Sequence, residues 1–113
     1  MSMIYSVGPD RTTPASDIVT RDGIRYIKRT AVAFNGPCIV TAPADDWFGG
    51  EDSRSYRSRL LDSPTWGRLM AVAESQQKAT RDFHHAFLEG AYAVGTETIK
   101  GQTVTVLRLI LGS

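Results

Sequence analysis

At 113 residues the chain suits one domain with a buried core and is too short for two domains of ordinary size. Its 42% hydrophobic and 22% charged residues exclude a chain disordered throughout, and 13 basic against 12 acidic residues leave no global field that would draw nucleic acid or an anionic membrane. Cys38 is the single cysteine, which excludes an intrachain disulfide and a cysteine-based metal cluster, so a reducing, cytoplasmic location is the expectation.

Residues 4–7 have the composition of a short strand, ended by Gly8-Pro9-Asp10. Residues 8–21 are polar and punctuated by Pro14, which predicts a loop or extended arm. The N-terminal stretch has neither the basic start nor the apolar run of a secretory signal, and no window is apolar for the length of a bilayer, so no membrane partner is expected.

Asp22-Gly23 and Asn35-Gly36 are turn signals that bracket a β-rich segment with a break near residues 28–30, and residues 38–41 read as a further short strand. Pro37 lacks an N–H and belongs at that strand's start. Residues 42–52 form a loop carrying Asp45, Asp46, Glu51 and Asp52 around Trp47-Phe48. Asp52 or Ser53 is placed to cap a short helix over 53–61 with Tyr56, Leu60 and Leu61 inward. Ser63-Pro64 is the signature of an N-cap followed by the first helical residue, and Trp66, Leu69, Met70, Val72, Ala73 and Thr80 then recur at helical spacing over 64–81.

Two strand-like runs close the chain, 84–94 and 102–111, with Lys100-Gly101 at the tip between them. Phe83, Phe87, Ala91 and Val94 would also continue a helical stripe, but Gly90 and Gly95 weaken a helix, and the apolar last run needs a strand neighbour. The predicted fold is one α+β domain over 1–113, in the order β-β-β-α-α-β-β. It has a mainly antiparallel sheet of about four or five strands with both helices on one face.

Candidate chemistry collects near the first of those runs. His85 and Glu89 share a face whether the segment is strand or helix, and a buried Glu89 would serve as a general acid or base. Arg108 interrupts the most apolar strand and calls for a partner, for which Glu89 on the neighbouring strand is available. A pocket of His85, Glu89 and Arg108 would make a small enzyme or ligand-binding protein. No metal site or cofactor follows from the spacing: His84 and His85 point to opposite faces of a strand, and the acidic loop lacks the ligand order of a calcium hand. Arg54, Arg57 and Arg59 around Tyr56 have the composition of a nucleic-acid patch, but the acidic loop before them would repel phosphates. Cys38 reads as a small buried hydrophobe unless His84 or His85 is brought to it as a base.

The leading expectation is a non-catalytic binding domain that self-associates. Its surface would combine Trp47 and Phe48 with His84, Tyr92 and the uncovered face of the terminal hairpin.

Overall fold

The computed structural model describes residues 3–45 and 47–113. Its elements are β1 (Ile4–Tyr5), β2 (Ile18–Arg21), β3 (Ile24–Ile27), β4 (Pro37–Ala42), β5 (Tyr56–Arg57), β6 (Leu61–Asp62), α1 (Trp66–Thr80), β7 (Phe87–Ile99) and β8 (Gln102–Gly112). The main sheet runs β1-β7-β8-β4-β5, with β6 on the same edge of β4 as β5, and β2 and β3 form a separate hairpin. Of the segment expected to be an arm, Ile18–Arg21 is thus a strand. Its turn, Asp22-Gly23, has φ of 52° and 77°, the double positive φ of a two-residue hairpin turn.

Two expectations about the architecture are corrected. The sheet is mixed: β1 lies parallel to β7 and β4 parallel to β8. Residues 53–61 are not helical, so α1 alone covers the sheet, and the only helical feature beside 53–61 is a single 3-10 turn at Gly50–Asp52. The reason lies in the outer edge of β4, whose buried backbone groups need partners. Arg57 pairs with Thr41 and Leu61 with Cys38, while Ser58 Oγ accepts from Val40 N at 2.8 Å. A short Ser- and Arg-rich segment has little intrinsic helicity to set against that demand.

The long helix is where its periodicity places it, with Trp66, Leu69, Val72, Ala73 and Thr80 buried. Its cap is Thr65 rather than Ser63. Thr65 Oγ1 accepts from Arg68 N, and Ser63 sits in the left-handed region at φ 48°. The preceding loop supplies the remaining caps: Ala31 O takes the Trp66 N–H at 3.0 Å and Arg29 O takes the Gly67 N–H at 2.8 Å. A side chain at Gly67 would press on Arg29, whose carbonyl oxygen would lie 3.3 Å from the added Cβ, so the first turn of the helix packs closely on this loop.

Of the segment 84–94 expected to be a strand, residues 87–94 are one, and residues 84–86 belong to the turn before it. β7 begins at Phe87 and runs on to Ile99, and the Lys100-Gly101 tip has φ of 51° and 77°. β8 alternates cleanly. Leu107, Leu109 and Leu111 pack toward the helix with Cys38, Val40, Leu69 and Leu88, whereas Val104 and Val106 join Ile39 in a second cluster on the opposite face. The molecule measures 42 × 37 × 18 Å, and the thin dimension fits one sheet with one helix layer. On the uncovered face Arg57 reaches across β4 and β8 to Glu97, with Nη2 2.8 Å from Oε1, and roofs the second cluster.

Cys38 is fully buried at the start of β4, and burial first, then the Asp62 carboxylate, push its thiol pKa up. The native protein should therefore take up no thiol-specific reagent at pH 8 and one equivalent after unfolding. Labelling of native protein at the rate of a free thiol would show that β4 is not buried.

Candidate functional site

The end of β4 and the end of α1 define a cleft. After Ala42 the loop that ends at Arg54 docks on the helix C-terminus, where Arg54 N donates to Ala79 O at 2.8 Å. Gly49 lies so close to the helix that a Cβ there would collide with the carbonyl oxygen of Thr80. Asp45 shapes the loop: its Oδ1 accepts from Trp47 N and Phe48 N, each at 3.0 Å, and its own N–H donates to the buried Ser53 Oγ at 2.6 Å.

On the helix side Arg81 ends α1 in the left-handed conformation, and Asp82 then organises the next turn. Asp82 Oδ1 accepts from His84 N at 3.1 Å and His85 N at 3.3 Å, while Oδ2 sits 2.7 Å from His85 Nδ1. The backbone carbonyl of His85 is held by Nε2 of the buried Gln77 at 3.1 Å. The ring of His85 is thus held at Nδ1 by Asp82 and its backbone at the carbonyl by Gln77, with Nε2 left as the second ring nitrogen. Phe48 stacks on His84 at 4.4 Å and meets His85 edge-on at 5.3 Å, which ties the loop to this turn.

Between these parts is a cleft of about 460 Å³. Ala42, Pro43, Leu109 and Leu111 give it apolar walls, and Asp45, Asp82, His85 and Gln76 give it polar ones. Gln76 is 8% exposed, and its Oε1 has no hydrogen-bond partner among the described residues. The backbone N–H of Phe48 is the main cause that holds the Asp45 carboxyl below the usual carboxylate range, reinforced by the Trp47 N–H, the Asp82 carboxyl and the charge of His85. Among the described residues no Lys or Arg lines the cleft, whose ionisable groups are Asp45, Asp82 and His85.

The structure does not bring the three sequence candidates together. His85 lines the cleft with Leu109 and Leu111, whereas Arg108, one residue along in β8, points to the opposite face and donates from Nε to Thr41 Oγ1 at 3.2 Å. Glu89 is exposed. It is the extra residue of a bulge between Leu88 and Gly90, and its carboxylate folds over Gly112. Trp47, 85% exposed, belongs to the cleft rim, and Tyr92 pairs with Arg108 on the far face, so the two do not form one surface.

Cys38 lies at the opposite end of β4 from His85. Arg54 donates to the carbonyls of Glu51 and Ser53 and Arg57 is tied to Glu97, so no helical face gathers them with Arg59. Asp46, one of the four loop carboxylates, lies outside the described residues. Among the described residues no three His, Cys, Asp or Glu side chains are grouped to hold a metal ion.

A second hollow of about 410 Å³ lies by the β2–β3 hairpin, with Tyr5, Arg21, Lys28 and Arg29 on its wall. Arg21 and Arg29 are exposed, Arg29 already stacks on Tyr5, and no orphaned buried group faces it, so it is the weaker site. Compared with protein-family models, with curated proteins and with solved structures, the chain matches none.

Proposed function

We propose that the chain is a small-ligand-binding protein whose ligand is an organic cation with N–H donors on an apolar body, seated in the cleft of Asp45, Asp82 and His85. The orphaned Oε1 of Gln76 is the observation that carries this reading. A buried carbonyl oxygen without a donor costs about 1–3 kcal/mol, and a ligand N–H in the cleft removes that cost. The other polar groups agree in kind: the Asp45 and Asp82 carboxyl oxygens are acceptors, and the depressed pKa of Asp45 keeps it charged. The leucine wall takes the apolar body, and the exposed Trp47 at the rim offers a face to the cation.

Calorimetric titration with phenethylamine and benzamidine, and with benzoate as the charge control, tests the proposal. Both cations are expected to bind and benzoate not. Asp45→Asn keeps the acceptor that the loop N–H groups use and removes the charge, and should weaken binding about tenfold. Gln76→Leu should weaken binding while raising the melting temperature of the free protein, because it deletes an unsatisfied buried amide. Benzoate binding as well as the amines, or unchanged affinity in Asp45→Asn, would sink the proposal.

A further inference from the structure

Beyond Leu88, the outer edge of β7 has no neighbour among the described residues. β1 covers only Phe87 and Leu88, and the last bond from that side is Ser6 N to Leu88 O at 3.0 Å. Leu88 therefore turns its backbone groups outward. Alternation along the β7–β8 register, with extra residues at Glu89 and Val94, then assigns the outward N–H and C=O groups to Ala91, Ala93, Thr96 and Thr98.

This set is its own antiparallel complement. Setting Ala91 against Thr98 and Ala93 against Thr96 of a second copy satisfies all four residues on both strands. The bulge does not disturb the match, because both strands carry the same two residues, Val94 and Gly95, between Ala93 and Thr96. The same register sets Glu89 against Lys100, twice by symmetry, and both residues are exposed in the single chain. Any register two or more residues away loses backbone pairs or runs into β1.

The edge also lacks the usual protection against pairing. No proline or lysine lies between residues 90 and 99, and the one charge there, Glu97, is held by Arg57 of its own chain. Val94 and Tyr92, 48% and 52% exposed, sit beside the dyad.

We propose that the chain forms a two-fold homodimer by antiparallel pairing of β7 with β7 of a second copy, in the register that sets Glu89 against Lys100. The pairing joins two six-stranded sheets into one and is independent of the ligand cleft, which lies at the end of β4.

Sedimentation equilibrium over a concentration series tests this on the full chain. Wild type should fit a monomer–dimer equilibrium. Ala93→Pro removes an outward N–H without touching the β7–β8 ladder, and should give a monomer with the wild-type circular dichroism spectrum. Glu89→Lys and Lys100→Glu should each weaken the dimer about tenfold through the two symmetric contacts, and the double reversal should restore it. The charge-reversal series decides the matter if Ala93→Pro fails to fold. A strict monomer at the highest concentrations, a dimer indifferent to all four variants, or a double reversal no better than the singles would overturn the proposal.

Discussion

Gly49→Ala is expected to lower the unfolding free energy by about 1–3 kcal/mol and to abolish amine binding in the same protein. The backbone at Gly49, φ −87° and ψ −22°, is one that alanine adopts freely, so conformational strain is not the cause. The cause is space. The added Cβ would strike Thr80 O and lie 2.7 Å from Asp45 O and 2.8 Å from Ser53 Cβ. Two of those three atoms belong to the backbone, so no rotamer change relieves the clash. The loop must lift from the helix, and Asp45 and Trp47 leave the cleft with it. Urea denaturation and titration with benzamidine measure the two effects together. Gly8→Ala is the control: open space surrounds that position, and the change should stay within about 0.5 kcal/mol of neutral. A native-like affinity in Gly49→Ala would mean that the loop is not docked as described.

Leu69→Ala carries the largest expected loss of stability, about 2–5 kcal/mol. Leu69 is fully buried at the centre of the helix-side cluster, among Cys38, Val40, Leu88 and Leu107. Its removal leaves a void between one helix and one sheet, and a two-layer fold has no third layer to collapse into it. Against a total of about 5–15 kcal/mol for a domain of this kind, the variant should melt tens of degrees lower or fail to fold at body temperature. Leu60→Ala makes the contrast. A helix over 53–61 would turn Leu60 inward, but in the extended chain it is exposed, and its loss should be near neutral. Equal effects at the two leucines would argue for the helical reading of 53–61.

What the amino-acid sequence discloses here follows the range of the forces involved. The helix of residues 66–80 and the closing hairpin are written in local terms, through apolar periodicity in one and the Lys100-Gly101 turn in the other. Residues 53–61 carry local helix signals too, but their conformation is decided by the unsatisfied edge of β4, a partner that no window of neighbouring residues reveals. The site fared similarly. His85 stood out because histidine is rare and versatile, and Asp82 three residues before it is the local signal that its ring would be held. Gln76 gave no signal, since a glutamine on a helix is ordinary until its burial is known. Glu89 was misplaced by a single inserted residue. The bulge at Leu88/Gly90 resets the alternation of β7, and with it the face on which a strict two-residue period puts each side chain as far as the second bulge at Ala93/Gly95, which restores it.

The parallel pairing of β4 with β8 also governs how the chain reaches its native state. Thr41 and Arg108, bonded across that pair, stand 67 residues apart in the chain, and Ser6 and Leu88 stand 82 apart. Loop closure over such distances must precede any gain from the contacts, which places this protein among slow folders despite its size. α1 and the segments flanking β4 can assemble from nearer neighbours, but Ile39 and Val40 wait on an open strand edge until the terminal hairpin arrives. While that apolar, parallel-ready edge is open the chain is at its most exposed to aggregation, so variants that slow hairpin docking are expected to raise the inclusion-body fraction on overexpression even where the melting temperature of the finished fold is unchanged.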